Sequence, residues 1–416
     1  MSRRRALHAV LLPVALAALA CSSPVHTQPR VSSHATPSPG SAVPAAPVPS
    51  DLSPAPVAAV PSDLSPTPVA AVPSDLSPTP AAERAPLELV FVGDIILGKY
   101  RLDTYAPLFK AGEDPFAAVT GLLRADAAIA NLETPLMHTR PARSPIYIGS
   151  RFGADKQAAR ALIGKFDALG VANNHALDLL TSGLRETPEV LRELGLVPVG
   201  EARATGDPVQ VATLERAGWR VALIAATTWT NRSFAPGDPA LAVYRTGELP
   251  RRLLPAVAAA RADHDLVIVL LHWGQEYSEG PDHAQKLVAR KLVAGGADLV
   301  VGHHPHVLHG LERHGDGLIA YSLGNFLFAN TDERSRRSGV LRVRYVPGRR
   351  CPERASFHPV WLGEAPGFTP APATGAQAEE IRQHVQAQSK RLRTPLRVEG
   401  EALVFTDWPC DPAPSP

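Results

Sequence analysis

The sequence LELVFVGDI at residues 87–95 has the length and apolar character of a buried β-strand, and it ends in Gly93, Asp94 and Ile95. Similar apolar runs recur along the chain, and most of them also end in polar residues. They are AAIANLE at 127–133, DALGVANN at 167–174, RVALIAAT at 220–227, DLVIVLLHW at 265–273, DLVVGHH at 298–304 and LIAYSLGNFLF at 318–328. These runs predict a set of strands that are buried on both faces.

Segments with the apolar spacing of helices separate or follow these runs. They lie at 155–164, 182–195, 248–262, 281–295 and 377–392, and a last strand is expected at 402–406. Strands that alternate with helices are typical of a layered α/β fold. We therefore expect an α/β body that begins near residue 86.

Composition excludes two broad classes of function. The 416 residues carry a formal charge of +2, and no basic run follows the extreme N-terminus, so a nucleic-acid partner is not expected. No stretch after residue 20 has the roughly 18 apolar residues that an integral membrane helix needs. The 42 prolines are about twice the usual share, and many of them lie before residue 86.

The N-terminus has the features of an export signal. Three arginines at positions 3–5 precede an apolar run at 9–20, and Cys21 follows directly. We interpret residues 1–20 as a signal peptide and Cys21 as a lipidation site. This predicts an exported, membrane-anchored lipoprotein on the periplasmic or outer face of a bacterial envelope, with ordinary secretion and an uncleaved signal anchor as the alternatives.

Residues 21–85 resemble a disordered tether rather than a domain. They are rich in Pro, Ala and Ser, and three copies of a twelve-residue unit occupy 48–59, 60–71 and 72–83. Each unit carries too little apolar surface to offset the entropy cost of ordering, so we interpret the region as a spacer. A polyproline ligand for a partner protein is the alternative.

The body is expected to divide into a main domain at 86–350 and a C-terminal extension at 351–416 packed on it. The extension begins with Cys351 and also contains Cys410. In an oxidising compartment these two cysteines are free to form a disulfide, although their spacing does not show whether they meet. Two unpaired structural thiols are the alternative.

Polar clusters at the strand ends supply the candidate site, because layered α/β proteins bind ligands at that edge. The clusters contain Asp94, Asn131, Glu133, Asn173, Asn174, His175, His272, Glu276, His303, His304, His306 and Asn325. Taken singly, Asp94 can cap a turn and His272 can be a core histidine. Three histidines within four residues are more typical of metal ligands.

Together the clusters predict a site for a divalent metal. Carboxylate, amide and imidazole ligands suit one or two ions of Mn, Fe or Zn, and such an ion activates water and neutralises an anionic substrate. His175 is the candidate general acid. The remaining histidines that we considered are expected at the surface or in loops, at positions 26, 34, 138, 264, 283, 309, 314 and 358.

The ordered motifs GDIILGK, NLETPL, ANNHALD, LHWGQEY, GHHPHVLHGLE and YSLGNFLF are similar to those of the CapA-type family of poly-γ-glutamate capsule biosynthesis proteins. The resemblance implies a calcineurin-like metallophosphatase-type β-sandwich of mixed sheets flanked by helices. It also implies a site formed by Asp94, Glu133, Asn174, His175, His272, His304 and His306, with His303 as an alternative to His304.

Within that site we assign roles to three groups of residues. The catalytic residues are expected to be Asp94, Glu133 and His175. The metal ligands are expected to be Asp94, Glu133, Asn174, His272, His303, His304 and His306. The residues expected to bind substrate are Lys99, Asn131, Asn173, Glu276 and Asn325.

Two positions depart from the related patterns. Metallophosphoesterases have a histidine two residues after the first aspartate, where this chain has Ile96, so one ligand of the usual two-metal centre is missing and Glu133 is the candidate replacement. The capsule family often has arginine where this chain has Lys99, and lysine offers a point charge instead of a bidentate fork.

Three functions are consistent with the sequence. The first is an envelope protein that hydrolyses or binds poly-γ-glutamate or a related acidic polymer, and the second is a metal-dependent phosphoesterase acting on a small phosphate-containing substrate. The third is a non-catalytic adaptor that binds polyanions. No ATP site is visible, so any polymer synthesis would require separate capsule-synthesis proteins as partners.

Overall fold

The computed structural model describes residues 84–101, 104–146, 149–364, 367–408 and 410. The predicted signal peptide, Cys21 and the three repeats of the tether lie outside the described residues. Within the described part, no helix combines the length and the apolar composition needed to cross a membrane.

The described chain forms short and long strands that alternate with helices. The strands are β1 (Leu87–Ile95), β2 (Gly98–Arg101), β3 (Thr104–Pro107), β4 (Ala127–Leu132), β5 (Leu136–Met137), β6 (Ala154–Asp155), β7 (Ala168–Gly170), β8 (Val197–Val199), β9 (Ala212–Arg216), β10 (Trp219–Thr227), β11 (Leu266–His272), β12 (Leu299–His303), β13 (Leu311–His314), β14 (Gly317–Ala320), β15 (Asn325–Leu327), β16 (Arg337–Tyr345), β17 (Arg354–Leu362), β18 (Pro370–Pro372), β19 (Arg397–Glu399) and β20 (Ala402–Phe405). The helices are α1 (Thr120–Leu123), α2 (Lys156–Ala159), α3 (Leu180–Glu193), α4 (Leu249–Asp263), α5 (His283–Ala294) and α6 (Gly375–Arg391).

Two large mixed sheets carry most of these strands. The ten-stranded sheet has the order β19-β20-β17-β16-β1-β4-β7-β8, with β15 paired to β1 and β18 paired to β17. The six-stranded sheet has the order β13-β14-β12-β11-β10-β9. Strands β1, β4 and β7 are parallel in the first sheet, as β10, β11 and β12 are in the second.

The two sheets pack face to face, and helices cover their outer faces. Leu89 and Phe91 of β1 belong to one buried apolar cluster with Leu223 of β10 and Leu270 of β11, which forms the core between the sheets. The alternate residues of β1, such as Val90, pack into a second cluster with residues of α3. Helices α4 and α5 pack on the outer face of the six-stranded sheet. The predicted β-sandwich of mixed sheets flanked by helices is therefore confirmed.

The run at 318–328 is not the single strand that its apolar pattern predicts. Its first part is β14, which pairs with β12, and its last part is β15, which pairs with β1 in the other sheet. Between them Gly324 adopts a φ of 65° as the chain crosses from one sheet to the other. Residues 318–328 are all buried, so the apolar pattern continues through the crossing and the sequence shows no break between the two strands.

The segment predicted as a C-terminal extension contributes strands to the ten-stranded sheet. β17 pairs with β16 along its length, and β20 pairs with β17. The predicted boundary at residue 350 thus falls between two paired strands. Cys351 and Cys410 are joined as a disulfide, with their Cα atoms 6.0 Å apart.

Candidate functional site

The candidate site lies where the carboxyl ends of the parallel strands of both sheets converge. Asp94 of β1 is paired in register with Asn131 of β4 on one side and with Asn325 of β15 on the other. His272 of β11 is paired with His303 of β12 in the second sheet. The backbone N–H of His304, directly after β12, donates to Asp94 Oδ2 at 3.2 Å and links the two sheets at this edge.

Asp94 is fully buried and lies at the centre of the site. Its Oδ1 accepts a hydrogen bond from Asn131 Nδ2 at 2.8 Å and lies 3.2 Å from His303 Nδ1. Its Oδ2 lies 3.4 Å from His306 Nδ1. Burial alone raises the pKa of this carboxyl, but the imidazoles of His303 and His306 outweigh burial and hold it well below its usual range. Asp94 is therefore ionised near neutral pH.

Glu133 is a second fully buried carboxyl, and it is poorly compensated. Its Oε2 has no hydrogen-bond partner among the described residues, and its Oε1 lies 3.5 Å from Asn131 Nδ2 and 3.8 Å from His272 Nε2. Burial first, and then the charge of Asp94, raise the pKa of Glu133 well above its usual range. An orphaned carboxylate oxygen beside a second carboxylate is a position that a bound cation would stabilise.

The imidazoles of His272 and His304 are held in their neutral form. His272 Nε2 lies 2.8 Å from Asn174 Oδ1 and 3.0 Å from His304 Nδ1. Burial and the neighbouring His304 lower the pKa of His272 well below its usual range, and burial together with His306 lowers the pKa of His304 to about 3. Neutral imidazoles have the free lone pair that metal ligation requires.

The backbone at the H-x-H motif is unusual for residues that carry side chains. His304 has a φ of 94° and His306 a φ of 59°, although positive φ values are uncommon outside glycine. Such backbone conformations cluster at functional sites, where the surrounding structure maintains them. Here the His304 ring lies against His272, with Nδ1 3.0 Å from His272 Nε2, and His306 Nδ1 lies 3.4 Å from Asp94 Oδ2.

Among the residues that the structure describes, two groups of side chains can hold a metal ion. The ligand atoms of Asp94, Glu133 and His272 all lie within 4.8 Å of one another, and those of Glu276, His304 and His306 form a second such group. All the donors are nitrogen or oxygen atoms, which suits Mn, Fe or Zn. The donor set and the orphaned oxygen of Glu133 therefore fit one or two divalent cations.

His175 is oriented by an acidic residue that the sequence analysis did not single out. His175 Nδ1 lies 2.6 Å from Asp178 Oδ2, and the same oxygen accepts from the backbone N–H of Phe152 at 2.8 Å. The other ring nitrogen, Nε2, lies 4.0 Å from Glu133 Oε2. Asp178 follows His175 by three residues in the ANNHALD motif, and that spacing was the available signal.

The residues predicted to bind substrate occupy different positions. Asn173 is buried, donates to Leu132 O at 2.8 Å and accepts from the His175 backbone N–H at 3.1 Å. Asn131 and Asn325 are also buried and hydrogen-bonded to site residues, namely Asp94 and His306.

Two further predicted substrate residues lie nearer the surface. Glu276 is exposed and belongs to the second potential metal-binding group. Lys99 Nζ donates to Ala329 O at 3.3 Å, and no described contact joins it to the other predicted site residues.

The loop after β10 was missed by the sequence analysis. Asn231 Oδ1 accepts from Asn174 Nδ2 at 3.1 Å, and Asn231 Nδ2 lies 3.4 Å from His175 Nδ1. The ring of Trp229 stacks on His304 with the centroids 5.5 Å apart. The residues TWTN at 228–231 follow the apolar run 220–227, so polar residues follow this strand as they follow the other site strands.

His309 lies in the loop between β12 and β13, within the surface-or-loop expectation, but it is buried. Only 1% of this residue is exposed, and its Nε2 lies 3.0 Å from Ser278 O. Burial lowers the pKa of His309 to about 4. It is a neutral core histidine under the loop that carries Glu276.

Known proteins resemble this chain over its α/β body. Residues 88–330 match the family model described as bacterial capsule synthesis protein PGA_cap. The chain is 31% identical to the PGA biosynthesis protein CapA of Bacillus subtilis, over 77% of this chain and 82% of that protein. It is 29% identical to the capsule biosynthesis protein CapA of Bacillus anthracis, over 62% of this chain and 64% of that protein.

A solved structure also aligns with this chain. The calcineurin-like phosphoesterase YfkN of Bacillus subtilis covers 74% of this chain and all of its own, at 13% identity and a TM-score of 0.32. The family is shown by the matched family model and the curated relatives. This chain belongs to the PGA_cap family of bacterial capsule synthesis proteins.

Proposed function

We propose that this protein is an envelope-anchored hydrolase that uses a divalent metal ion to cleave poly-γ-glutamate or a related acidic capsule polymer. Membership of the capsule synthesis family supports the choice of polymer. The observation that carries the hydrolytic proposal is the buried Asp94, Glu133 and His272 group beside an oriented His175. A site that only bound a polyanion would have little need of two buried carboxylates, because they repel negative charge.

The metal would be held by the residues of the two groups described above. Asp94, Glu133 and His272 would hold one ion, and Glu276, His304 and His306 would contribute to a second. When bound, such an ion supplies positive charge that polarises a carbonyl or phosphoryl oxygen and activates water. Asn174 would be a further oxygen ligand of the first ion, because its Oδ1 lies 2.8 Å from His272 Nε2, the ring nitrogen that faces Glu133.

His175 is proposed to move the proton that the leaving group requires. Asp178 holds Nδ1 of the ring, so Nε2 is left to carry a proton on the side that faces Glu133. An amide nitrogen leaves readily only when it is protonated, and a positioned histidine typically contributes about 10²–10⁴-fold to such a step. Asn173 fixes the backbone of His175 through its own side chain.

A metal-dependent phosphoesterase is the second candidate. It is favoured by the adjacent Asn174 and His175, because the same Asn-His pair is typical of metallophosphoesterases. In this chain the pair is joined to the site through His272 Nε2 and Asp178. The two candidates share their proposed metal and proton donor and differ only in the bond that is cleaved.

The test is metal analysis of the purified full-length chain, followed by two activity assays. A His304→Ala/His306→Ala variant should lose the metal, whereas a His314→Ala/His358→Ala control, changed outside the site, should retain it. New amino termini released from poly-γ-glutamate by the metal-loaded protein support the first candidate, and phosphate released from a generic ester supports the second. A folded wild type that cannot be loaded with Mn, Fe or Zn contradicts both and leaves the adaptor.

Anchoring at Cys21 is a separate part of the proposal. The wild-type chain should fractionate with membranes in a bacterial host, and a Cys21→Ser variant should be released from them. Membrane fractionation of the Cys21→Ser variant equal to that of the wild type would refute lipidation at this position.

A further inference from the structure

Trp229 is exposed at the edge of the candidate site. It is 46% exposed, and it is the only aromatic residue among the large apolar side chains that are exposed in the described part of the chain. Its indole stacks on His304 with an interplanar angle of 27°. Its Nε1–H donates to Gly274 O at 2.5 Å, so the ring is held at both its face and its edge.

The loop that carries Trp229 is fixed to the rest of the site. The backbone N–H of Trp229 donates to Thr227 Oγ1 at 3.1 Å, and the backbone N–H of Asn231 donates to Asn174 O at 3.1 Å. The indole is thus ordered before any ligand arrives. Leaving so large an apolar surface in water is costly, and an ordered exposed aromatic residue is typical of a binding surface.

Arg232 supplies a positive charge three residues after Trp229. The residue is exposed, and its side chain forms no ion pair among the described residues. A guanidinium without a carboxylate partner can bind a carboxylate through two parallel hydrogen bonds. The loop therefore offers a flat apolar face and a cation within four consecutive residues.

We propose that Trp229 and Arg232 form a recognition surface for one repeat of a γ-linked glutamate chain. Each such repeat places two methylene groups within the polymer backbone and a free carboxylate on the carbon next to the amide nitrogen. The indole packs against the methylenes and the guanidinium binds the carboxylate, so the neighbouring amide is directed towards His304. This inference rests on the proposed function and specifies how its substrate is selected.

The proposed surface distinguishes γ-linked from α-linked glutamate chains. In an α-linked chain the methylenes and the carboxylate both lie in the side chain, and the backbone has no apolar segment to cover the indole. The two polymers carry the same charge per residue, but only the γ-linked chain places methylenes in its backbone, so removal of the indole tests the apolar contact separately from charge. Trp229 should therefore contribute to affinity for the γ-linked polymer and little to affinity for the α-linked one.

The experiment measures binding of fluorescein-labelled poly-γ-glutamate and poly-α-glutamate to the full-length chain. We expect Trp229→Ala to weaken binding of the γ-linked polymer about tenfold, which corresponds to the loss of one aromatic contact. Trp229→Phe should retain most of the affinity because phenylalanine keeps a flat ring. Trp361→Phe and Trp408→Phe, which change buried indoles, are the matched controls and should bind as the wild type does.

Arg232→Gln should weaken binding of the γ-linked polymer and reduce its dependence on salt. Arg251→Gln, an exposed arginine on α4, removes the same charge elsewhere and should have no such effect. Equal affinity of wild type and Trp229→Ala for the γ-linked polymer, or equal affinity of the wild type for the two polymers, would overturn the inference. Metal content is measured on the same samples. If Trp229→Ala keeps both its metal and the polymer affinity of the wild type, the recognition surface is refuted but the proposed metal site is not.

Discussion

Replacing Glu133 by glutamine should stabilise the metal-free protein and weaken its response to metal. Glutamine has the shape of a protonated glutamate, so the substitution removes the buried ionisable group without opening a cavity. The carboxylate makes only one long hydrogen bond, at 3.5 Å to Asn131 Nδ2, and its second oxygen has no partner among the described residues. The free energy lost with that bond is therefore small.

The gain is set by the cost of an uncompensated buried carboxylate. An unsatisfied buried polar group costs about 1–3 kcal/mol, and more when it is charged. We therefore expect the free energy of unfolding of Glu133→Gln in the presence of chelator to exceed that of the wild type by about 2 kcal/mol. For the roughly 320 described residues this corresponds to a Tm increase of about 3 °C. With metal added, the wild type should become the more stable of the two proteins. A metal ion at 100 times its Kd raises the free energy of unfolding by about 2.7 kcal/mol, and only the wild type should bind it fully.

The pH dependence has a definite sign. The pKa of Glu133 is raised in the native state, so above the usual glutamate pKa the native carboxyl retains a proton that the unfolded chain has released. The stability of the wild type then falls as pH rises, by at most about 1.4 kcal/mol per pH unit, until the native carboxyl ionises. The advantage of Glu133→Gln in chelator should therefore increase with pH over this range.

The assay is thermal and denaturant unfolding with chelator and with added metal. Glu312→Gln is the matched control, since Glu312 is equally buried but is paired with Arg290 at 2.7 Å and with the Tyr321 hydroxyl at 2.6 Å. The control should be destabilised in both conditions. A Glu133→Gln variant that is less stable than the wild type in chelator would refute the reasoning, because Glu133 would then stabilise the fold without a cation.

Three further changes test other parts of the structure. Asp178→Asn should lower the proposed hydrolytic turnover about 100-fold in steady-state assays while metal content stays at the wild-type level, and unchanged turnover would remove Asp178 from the mechanism. In denaturant unfolding, the wild type should lose about 3 kcal/mol of stability as pH falls from about 6.5 to 4, because over this range only the unfolded chain protonates His309. His309→Gln should not show this loss. An equal change of stability with pH in both proteins would contradict the prediction. Gly302→Ala should cost about 3 kcal/mol because its Cβ would overlap the Tyr321 carbonyl oxygen, whereas Gly121→Ala, whose Cβ meets open space, should unfold like the wild type.

The sequence predicted the strands that position the candidate site because both of their faces are apolar. β1 was expected at 87–95 and spans Leu87–Ile95, and β11 differs from its expected range by one residue at each end. The polar residues at these strand ends were also identified, since parallel strands bring their carboxyl ends to one edge. The donors of Asp94, Glu133 and His272 are accordingly close together.

The features that the sequence did not predict depend on contacts between distant segments. Asp178 becomes relevant only because its carboxylate lies 2.6 Å from His175 Nδ1, and a single aspartate three residues after a histidine has many other uses. Trp229 follows a strand like the other site residues, but an exposed tryptophan has no distinctive sequence pattern. The burial of His309 likewise depends on its contact with Ser278.

The crossing between β14 and β15 links the fold to the candidate site. The carbonyl of Gly324 in the crossing accepts from the Asp94 backbone N–H at 2.9 Å, and a Cβ at position 93 would overlap that same oxygen. Glycine at position 93 therefore lets β1 approach the crossing segment closely. Asn325, the next residue, contacts His306 Nδ1 at 2.8 Å, so the crossing contacts residues from both sheets.

This arrangement makes the candidate ligands depend on the packing of the two sheets against each other. Asp94 lies in β1 and Glu133 directly after β4 of the ten-stranded sheet. His272 ends β11 of the six-stranded sheet, and His304 and His306 lie in the loop directly after its β12. A cation bound by both sets would join the sheets at the edge where the uncompensated carboxyl of Glu133 otherwise destabilises their packing. The same electrostatic cost that weakens the metal-free protein would then be the source of its affinity for metal, because the ion supplies the charge that the protein itself lacks at Glu133.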